Sequence, residues 1–541
     1  MMIYRRSKTQ GGALLCAILI MLSSALPGEA SISLRSDFST AENQRAPMRY
    51  HWEVSNRISP MRRFNMPVGE NPYICVVRPL GGKSKDGKKL IDEDTYKWDG
   101  EQYVYDWAPL KMQIDTVQKK ARIFQLMIDN VPWAFQRGLN IEAEDQVETY
   151  GNPWPPNDPE AWATYIQEML KELVKTYGRE TVEQWRFCIG REIGTSGHWR
   201  GSMQAFFEHY ALTLDAIHSV LPDAKVGTHF LWASSKKSMG PEFVKWCRQN
   251  SVHYDFVGVS YYPFFHKKDR VDLDYVYRAD FAPIKDIPEW NPEATLEIHE
   301  FSLIKSMSKR GNSFDNAPKA HTDTFTIALG KMMYEHDMHH VFRWGAGDNK
   351  LGEQTYQEME GNIYFSSIRE GEPESNGNMV NGVFAVDKNQ GQYNVVLYNY
   401  NADPGETSRE TVQIRAVLPT KPLQQINYRM GNYTPAGLKW TDWEPARTKA
   451  VGGTDSSSFE LSVELPVFTF GKIEIRAPIP DALKAKRVLT KRADGSQVEV
   501  ELGELKKGQL LCYVRGRRYI IPIHTLSDED QQFLKKWAQD K

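Results

Sequence analysis

The sequence predicts an α/β protein of three folded parts: a (β/α)8 barrel, an antiparallel β-sandwich and a small C-terminal β module. Three observations predict it. Between residues 49 and 345 apolar strand-like runs alternate with amphipathic helical stretches. After about residue 375 short runs follow one another between Gly, Asn, Asp and Pro turns with no helical period. Past Pro478-Ile479-Pro480 another set of short strands ends in a helix.

Residues 1–30 come first and read as an export signal. Arg5, Arg6 and Lys8 form a basic head, and Ala13 to Leu26 form an apolar run short for a membrane span. Gly28-Glu29-Ala30 supplies a small-x-small cleavage site. The mature chain is therefore expected in a periplasm or outside the cell, with no membrane span left after cleavage. Four cysteines remain in it, an even number that permits disulfides in an exported protein. Cys75 and Cys188 sit inside apolar strand-like runs, where buried free thiols are expected. No CxxC spacing occurs, so no structural metal is predicted, and no cofactor is expected either.

The barrel is assigned to residues 31–375. Its eight candidate strands are 49–56, 72–78, 122–128, 185–190, 224–230, 255–262, 294–299 and 340–345. Two helices between them are plain in the spacing. Trp162 to Tyr177 aligns Tyr165, Met169, Leu170 and Leu173. Met203 to Leu221 aligns Phe206, Phe207, Tyr210, Leu214 and Ile217. Strands alternating with helices imply a parallel sheet, and eight repeats imply closure into a TIM barrel.

The sandwich is assigned to residues 376–478, on the runs at 382–386, 393–400, 411–417, 425–430, 459–465 and 469–476. The terminal module is assigned to 485–541. Its strands are expected at 488–502, 509–514 and 519–523, followed by a helix that Ser527 opens.

Composition narrows the function. The chain has 541 residues, with 67 Lys+Arg against 69 Asp+Glu and a net charge of −2. Non-specific nucleic-acid binding needs a basic face, which this balance does not provide. A mean hydropathy of −0.54 excludes a polytopic membrane protein. Aromatic residues make up 12%, a surplus that suits either aromatic cores or surfaces that pack against sugar rings.

Barrel chemistry sits at the C-terminal ends of the strands. Glu192 follows the fourth strand run in WRFCIGREIGT, and Glu300 closes the seventh in ATLEIHEFS. Strands four and seven lie on opposing walls, so both side chains can converge across the mouth. Glycosidic cleavage needs such a pair, one carboxyl protonated to serve the leaving oxygen and one ionised to attack or to activate water. A glutamate after a strand also serves as a helix cap or an ion-pair partner, so position alone leaves both readings open. Glu297, three residues before Glu300, is expected to pair with a cation.

The surrounding residues carry a resemblance. The run PWPPNDPEAWATYIQEMLKELVKTYGRETVEQWRFCIGREIG resembles the segment leading to the acid/base of glycoside hydrolase family 39, which includes β-xylosidases and α-L-iduronidases. YDWAPLKMQIDTVQKKARIFQLMIDNVPWAF, HYDFVGVSYYP and ATLEIHEFS are similar to other strand regions of that family, and INYRMGNYTPAG to its accessory domain. The resemblance spans roughly residues 49 to 476. It implies an O-glycosyl hydrolase acting by retaining double displacement, with Glu192 as general acid/base, Glu300 as nucleophile and a carbohydrate as substrate.

The chain departs from the family in two places. Arg191 stands where the family usually has Asn before the acid/base. Its guanidinium either binds a carboxylate or sulfate of an acidic sugar, or favours an ionised Glu192 or Glu300, or pairs elsewhere with a structural acid. Tyr261-Tyr262 replaces the usual His-x-Tyr. Tyr262 is a candidate to hydrogen-bond Glu300, and Trp344 to form an aromatic floor under the sugar. Arg78, Trp133, His229 and His299 are candidates to line the substrate pocket, the two histidines also reading as packed strand-end residues.

The terminal unit is similar to the SH3-like Sla1 homology domain 1, through GRRYIIPI at 516–523 and LSDEDQ at 526–531. That resemblance implies a binding or tethering module, for protein or polysaccharide, rather than chemistry. Two alternatives to a hydrolase stay open on the sequence: a non-catalytic carbohydrate-binding protein derived from a glycosidase barrel, and a surface scaffold docked through the terminal module.

Overall fold

The computed structural model describes residues 32–48, 52–58, 74–77, 81, 94–118, 123–136, 151–231, 239–263, 272–301, 303, 319–344, 350–373, 377–387, 391–403, 405–420, 426–434, 437–446, 448–451, 456–477, 486–492, 496–506, 508–514 and 517–539. The expected export signal lies outside them. Among the described residues no helix is long and apolar enough to cross a membrane.

Eight strands close into a barrel: β1 (Trp52–Ile58), β2 (Ile74–Val77), β3 (Ile123–Ile128), β4 (Arg186–Ile193), β5 (Lys225–Phe230), β6 (Phe256–Tyr261), β7 (Thr295–Phe301) and β8 (Val341–Trp344). Every neighbouring pair is parallel, including β8 on β1 and β5 on β6, so the ring has no edge. Each strand overlaps the run predicted for it. β4 and β7 run further than their apolar runs because bulges carry the pairing on through Arg191, Glu192 and Glu300.

The helices form where the sequence caps them. Asp158 accepts a hydrogen bond from the Ala161 N–H at 2.9 Å, and Pro159 opens the helix Pro159–Tyr177. Gly178, at φ 84°, ends it. Ser202 caps Met203–Val220 through the Ala205 N–H at 3.0 Å. The inner faces, Trp162, Tyr165 and Met169 on one helix and Phe206, Tyr210 and Ile217 on the other, are buried. This packing fixes the β4 end of the barrel.

The sandwich has two sheets. One orders strands Ile368–Glu370, Ile32–Asp37, Arg409–Leu418, Ser457–Pro466 and Thr448–Ala450. The other includes Asn427–Thr434, Thr469–Arg476, Gln392–Asn401 and Asn378–Asp387. The core between them is drawn from both, with Leu34, Phe384, Val395, Ile414, Phe459 and Ile473 buried. Two boundaries differ from the expectation. Ile32–Asp37 pairs with Arg409–Leu418 and so belongs to the sandwich, not to the barrel. Residues from Ile363 onward also cluster with the sandwich, which moves its start forward from 376. The Ile32 pairing is parallel, so the sandwich is not wholly antiparallel.

The C-terminal sheet is a four-stranded meander of Lys486–Thr490, Gln497–Lys506, Gln509–Val514 and Arg517–Pro522, followed by the helix Asp528–Gln539. Ser527 caps that helix: its Oγ accepts from the Asp530 N–H at 3.2 Å and donates to Asp530 Oδ2 at 2.8 Å. Cys188, Cys247 and Cys512 are buried free thiols.

Candidate active site

The ends of β4, β6 and β7 are irregular, and the irregularities aim the functional side chains. The β4–β5 register slips between Ile189 and Ile193. Gly190 at φ 76°, Glu192 at φ 44° and Gly194 at φ 119° carry the bulge. A Cβ on Gly190 would lie 2.8 Å from Ile193 and 2.9 Å from Phe206, so this position needs glycine for space as well as for φ. A left-handed glutamate costs about 1–3 kcal/mol and persists only where its surroundings impose it. On the other wall, Val259 pairs with Ile298 but Ser260 pairs with Glu300, leaving His299 as the extra residue. The slip changes the side-chain parity there, so Glu300 faces the same space as Glu192.

Arg191 joins the two glutamates. Its Nε donates to Glu300 Oε1 at 2.8 Å, and its second amino nitrogen lies 3.7 Å from Glu192 Oε2. The other Glu300 oxygen accepts from the Tyr262 hydroxyl at 2.6 Å. Both Glu300 oxygens are therefore acceptors, the pattern of an ionised carboxylate. Glu192 Oε1 accepts from Ser260 Oγ at 2.8 Å, and His198 Nε2 lies 3.2 Å from Glu192 Oε2. Burial alone would raise the Glu192 carboxyl. The His198 imidazole and the Arg191 guanidinium outweigh it and hold the group well below the usual carboxylate range.

A second polar layer lies beneath. Glu297 is fully buried and accepts from Arg186 at 2.6 Å and from Thr295 Oγ1 at 2.6 Å, with His299 Nε2 at 2.8 Å. Burial opposes ionisation there too, but Arg186 foremost keeps the carboxyl well below its ordinary range. The Arg186 guanidinium also covers the Phe256 ring at 4.0 Å. This is the cation expected for Glu297, and it identifies Glu297 as an ion-pair residue.

Several candidates take one of the places the sequence left open. His229 and His299 are both buried, the packed strand-end placement the sequence also allowed, and each is held by a neighbouring side chain. His299 is held on Glu297. Burial and the neighbouring His299 push the His229 imidazole well below its ordinary value, so it is neutral. Its Nε2 is 2.9 Å from Ser260 Oγ. Ser260 spends its proton on Glu192, so the His229 Nε2 must carry the N–H in that contact. His229 thus orients Ser260, and Ser260 orients Glu192. Of the roles open to Arg191, the structure favours pairing with the site glutamates: its buried side chain reaches both Glu300 and Glu192. Trp133 is buried in a short 3-10 turn, its backbone N–H on Asp94 Oδ2 at 2.7 Å. Trp344 ends β8, with its side chain outside the described residues, and Arg78 lies outside them altogether.

Sequence reasoning missed His198, Ser260 and Arg186. The first two had a faint signal, a histidine six residues past Glu192 and a serine two before Tyr262. Arg186 had none, because its partner lies in a distant strand.

A parallel eight-stranded barrel bringing glutamates from its fourth and seventh strands onto one guanidinium defines the class: a (β/α)8 glycosidase. Known proteins agree. The sequence profile of Glycosyl hydrolases family 39 matches residues 123–290. An alpha-1,4-L-rhamnosidase of Formosa agariphila is 45% identical over 463 residues, covering 83% of this chain and 94% of that protein. Among solved structures, a monomeric beta-xylosidase from Caulobacter crescentus CB15 superposes with a TM-score of 0.51 at 14% identity, over 83% of this chain and 100% of its own. The family 39 enzyme of Xanthomonas axonopodis pv. citri gives 0.50 at 15%, over 83% and 97%. The chain belongs to glycosyl hydrolase family 39, and it is a glycoside hydrolase acting on carbohydrate.

Proposed function

We propose that the protein is an exported retaining glycosidase that releases α-1,4-linked L-rhamnose from an oligosaccharide, with Glu300 as nucleophile and Glu192 as general acid/base. The substrate follows the name of the relative that is 45% identical along most of both chains. The observation that carries the mechanism is the Arg191 guanidinium touching both carboxylates. The retaining course follows the family to which the chain belongs, and it requires the two carboxyl groups to stand about 5–5.5 Å apart.

Glu300, with Arg191 and Tyr262 on its oxygens, attacks the anomeric carbon as the carboxylate. Glu192 must deliver a proton although the free site favours its ionised form. The His198 imidazole, with Nε2 3.2 Å from Glu192 Oε2, is the neighbour that can pass a proton to it. A glycosidic oxygen seated against Glu192 draws that proton across the carboxyl as the bond breaks. Water then enters, and the same carboxylate removes its proton to release the sugar. The C-terminal sheet and helix, 485–541 in sequence terms, act as an SH3-like tethering module, and the leader at 1–30 directs export.

The test uses an aryl α-L-rhamnoside and the corresponding rhamnosyl disaccharide, with the first-formed anomer read by NMR. Retention is expected. E300Q should lose turnover on both substrates. E192Q should lose about 10²–10⁴-fold on the disaccharide but much less on an aryl group that leaves without a proton. Inverted product, or an E192Q loss equal on both substrates, refutes the assignment.

A further inference from the structure

We propose that Ser260, backed by His229, is a positioning residue that divides the work of the two Glu192 oxygens: Oε1 is held as a standing acceptor, and Oε2 carries the proton for the leaving oxygen. The proposal deepens the reading of Glu192 as general acid/base and rests on it.

Glu192, His229 and Ser260 come from the ends of three neighbouring strands, β4, β5 and β6. Backbone hydrogen bonds lace those ends together. The Leu231 N–H donates to the Ile193 carbonyl at 3.1 Å, and the Ser260 N–H donates to the Leu231 carbonyl at 3.2 Å. Ser260 also stands at the slip that turns Glu300 inward. All three residues are buried, His229 completely, so their polar atoms depend on one another for partners.

His229 has two ring nitrogens and one hydrogen-bond neighbour. Its Nε2 lies 2.9 Å from Ser260 Oγ, whereas Nδ1 is buried and makes no hydrogen bond among the described residues. A buried N–H without an acceptor is costly, so the ring proton belongs on Nε2, where the serine oxygen accepts it. A doubly protonated ring would strand an N–H at Nδ1 in the same way. Ser260 then has one hydrogen to give, and Glu192 Oε1 takes it at 2.8 Å. A proton on Oε1 would turn that acceptor into a donor and leave the serine hydrogen with nowhere to go. Oε2 has no such conflict. His198 Nε2 stands 3.2 Å from it and an Arg191 amino nitrogen 3.7 Å. The acid step therefore runs through one oxygen. Glu300 bonds to the anomeric carbon, the electron pair of the breaking glycosidic bond goes to the leaving oxygen, and the Oε2 proton joins it there. Oε1, pinned by the serine, holds the plane of the carboxyl while this happens, and small misplacements at such a point cost large factors in rate.

The experiment uses the full mature chain, with kcat/KM measured on the rhamnosyl disaccharide and on an aryl α-L-rhamnoside whose phenol leaves without a proton. S260A should lose about 10- to 100-fold on the disaccharide and far less on the aryl substrate. S260T keeps the hydroxyl and should recover most of that loss. H229L removes the N–H behind the serine and should reproduce the S260A pattern in weaker form. A serine that merely fills space would cost both substrates alike. An equal S260A loss on the two, no loss on either, or an S260T as impaired as S260A therefore overturns the proposal. E192Q, run beside them, separates it from the reading beneath it. If E192Q fails to discriminate between the substrates, the acid assignment falls and takes the proposal with it. If E192Q discriminates and S260A does not, the proposal falls alone. Nitrogen NMR of histidine-labelled protein gives a readout free of activity, the His229 signals being those absent from H229L. A neutral ring protonated at Nε2 is expected, and a ring protonated at Nδ1 overturns the relay.

Discussion

Replacing Arg191 by asparagine, the residue the family usually has, isolates the electrostatics of the site. The wild-type guanidinium is buried, with Nε 2.8 Å from Glu300 and an amino nitrogen 3.7 Å from Glu192. R191N leaves two buried carboxylates facing each other, and like charges at that range cannot both stay ionised. Removing a cation from beside a carboxylate raises its pKa by about 1–3, which at 1.36 kcal/mol each is about 1.4–4 kcal/mol. That agrees with the roughly 3–5 kcal/mol lost when one partner of a buried ion pair is deleted. The acidic limb of the kcat/KM profile should therefore move up by about 1–3 pH. Thermal stability should fall most at neutral pH and least near pH 4, where an added proton relieves the repulsion. R191K, which keeps the charge but not the fork, should fall between. The assay is a pH–rate profile with thermal unfolding in the same buffers. An unmoved acidic limb together with a stability loss independent of pH would refute the account.

Two further outcomes follow from geometry away from the glutamates. G190A places a Cβ against Ile193 and Phe206 at φ 76°, and strain plus overpacking should cost about 2–4 kcal/mol in urea unfolding. Because that bulge aims Glu192, kcat should fall with it, and a variant losing neither contradicts the role given to the bulge. Burial between Trp162 and Trp199 depresses the His209 imidazole to about 3. The folded state then binds fewer protons than the unfolded chain below about pH 6.5, so stability is whole above that pH and drains away as pH falls toward 3. At pH 5 the loss is about 2 kcal/mol, and H209Q should shrink the pH 7 to pH 5 difference by that amount. An equal difference in both proteins would show that His209 does not set it.

The legible parts of this molecule were those written in local spacing. The face through Tyr165, Met169, Leu170 and Leu173 is written within one helix, and the sequence predicts it over Trp162–Tyr177, three residues short of the observed start at Pro159. Glu192 and Glu300 were legible because a barrel fixes where strand ends go. Ile32–Asp37 shows the limit. Its alternating burial is that of a strand, but its partner at Arg409–Leu418 lies more than a domain away in sequence, so its sheet could not be read. The bulges show another. A one-residue slip at His299 reverses which side chains face the cavity, and that slip depends on Gly258, whose missing Cβ would sit 2.2 Å from the His299 ring. Spacing along the strand therefore left two readings of His299 open, and the structure places it on Glu297.

The placement of charge gives a physical reason for an arginine immediately before Glu192. β4 supplies Arg186, Arg191 and Glu192, and β7 supplies Glu297 and Glu300. In the lower layer Arg186 and Glu297 balance, with Thr295 and His299 satisfying the remaining lone pairs, so this layer has no charge left to lend upward. In the upper layer one guanidinium serves two carboxylates, a deficit of one positive charge among buried side chains. A neutral asparagine would widen the deficit and leave Glu300 without its cation. Arginine keeps Glu300 paired with a cation and, on the proposed mechanism, assigns the shortfall to Glu192. His198 answers it, because an imidazole beside a buried carboxylate brings the single proton that the chemistry must spend. Among the described residues of this layer, the Glu192–His198 pair is where the proposed mechanism places the proton that the leaving oxygen needs.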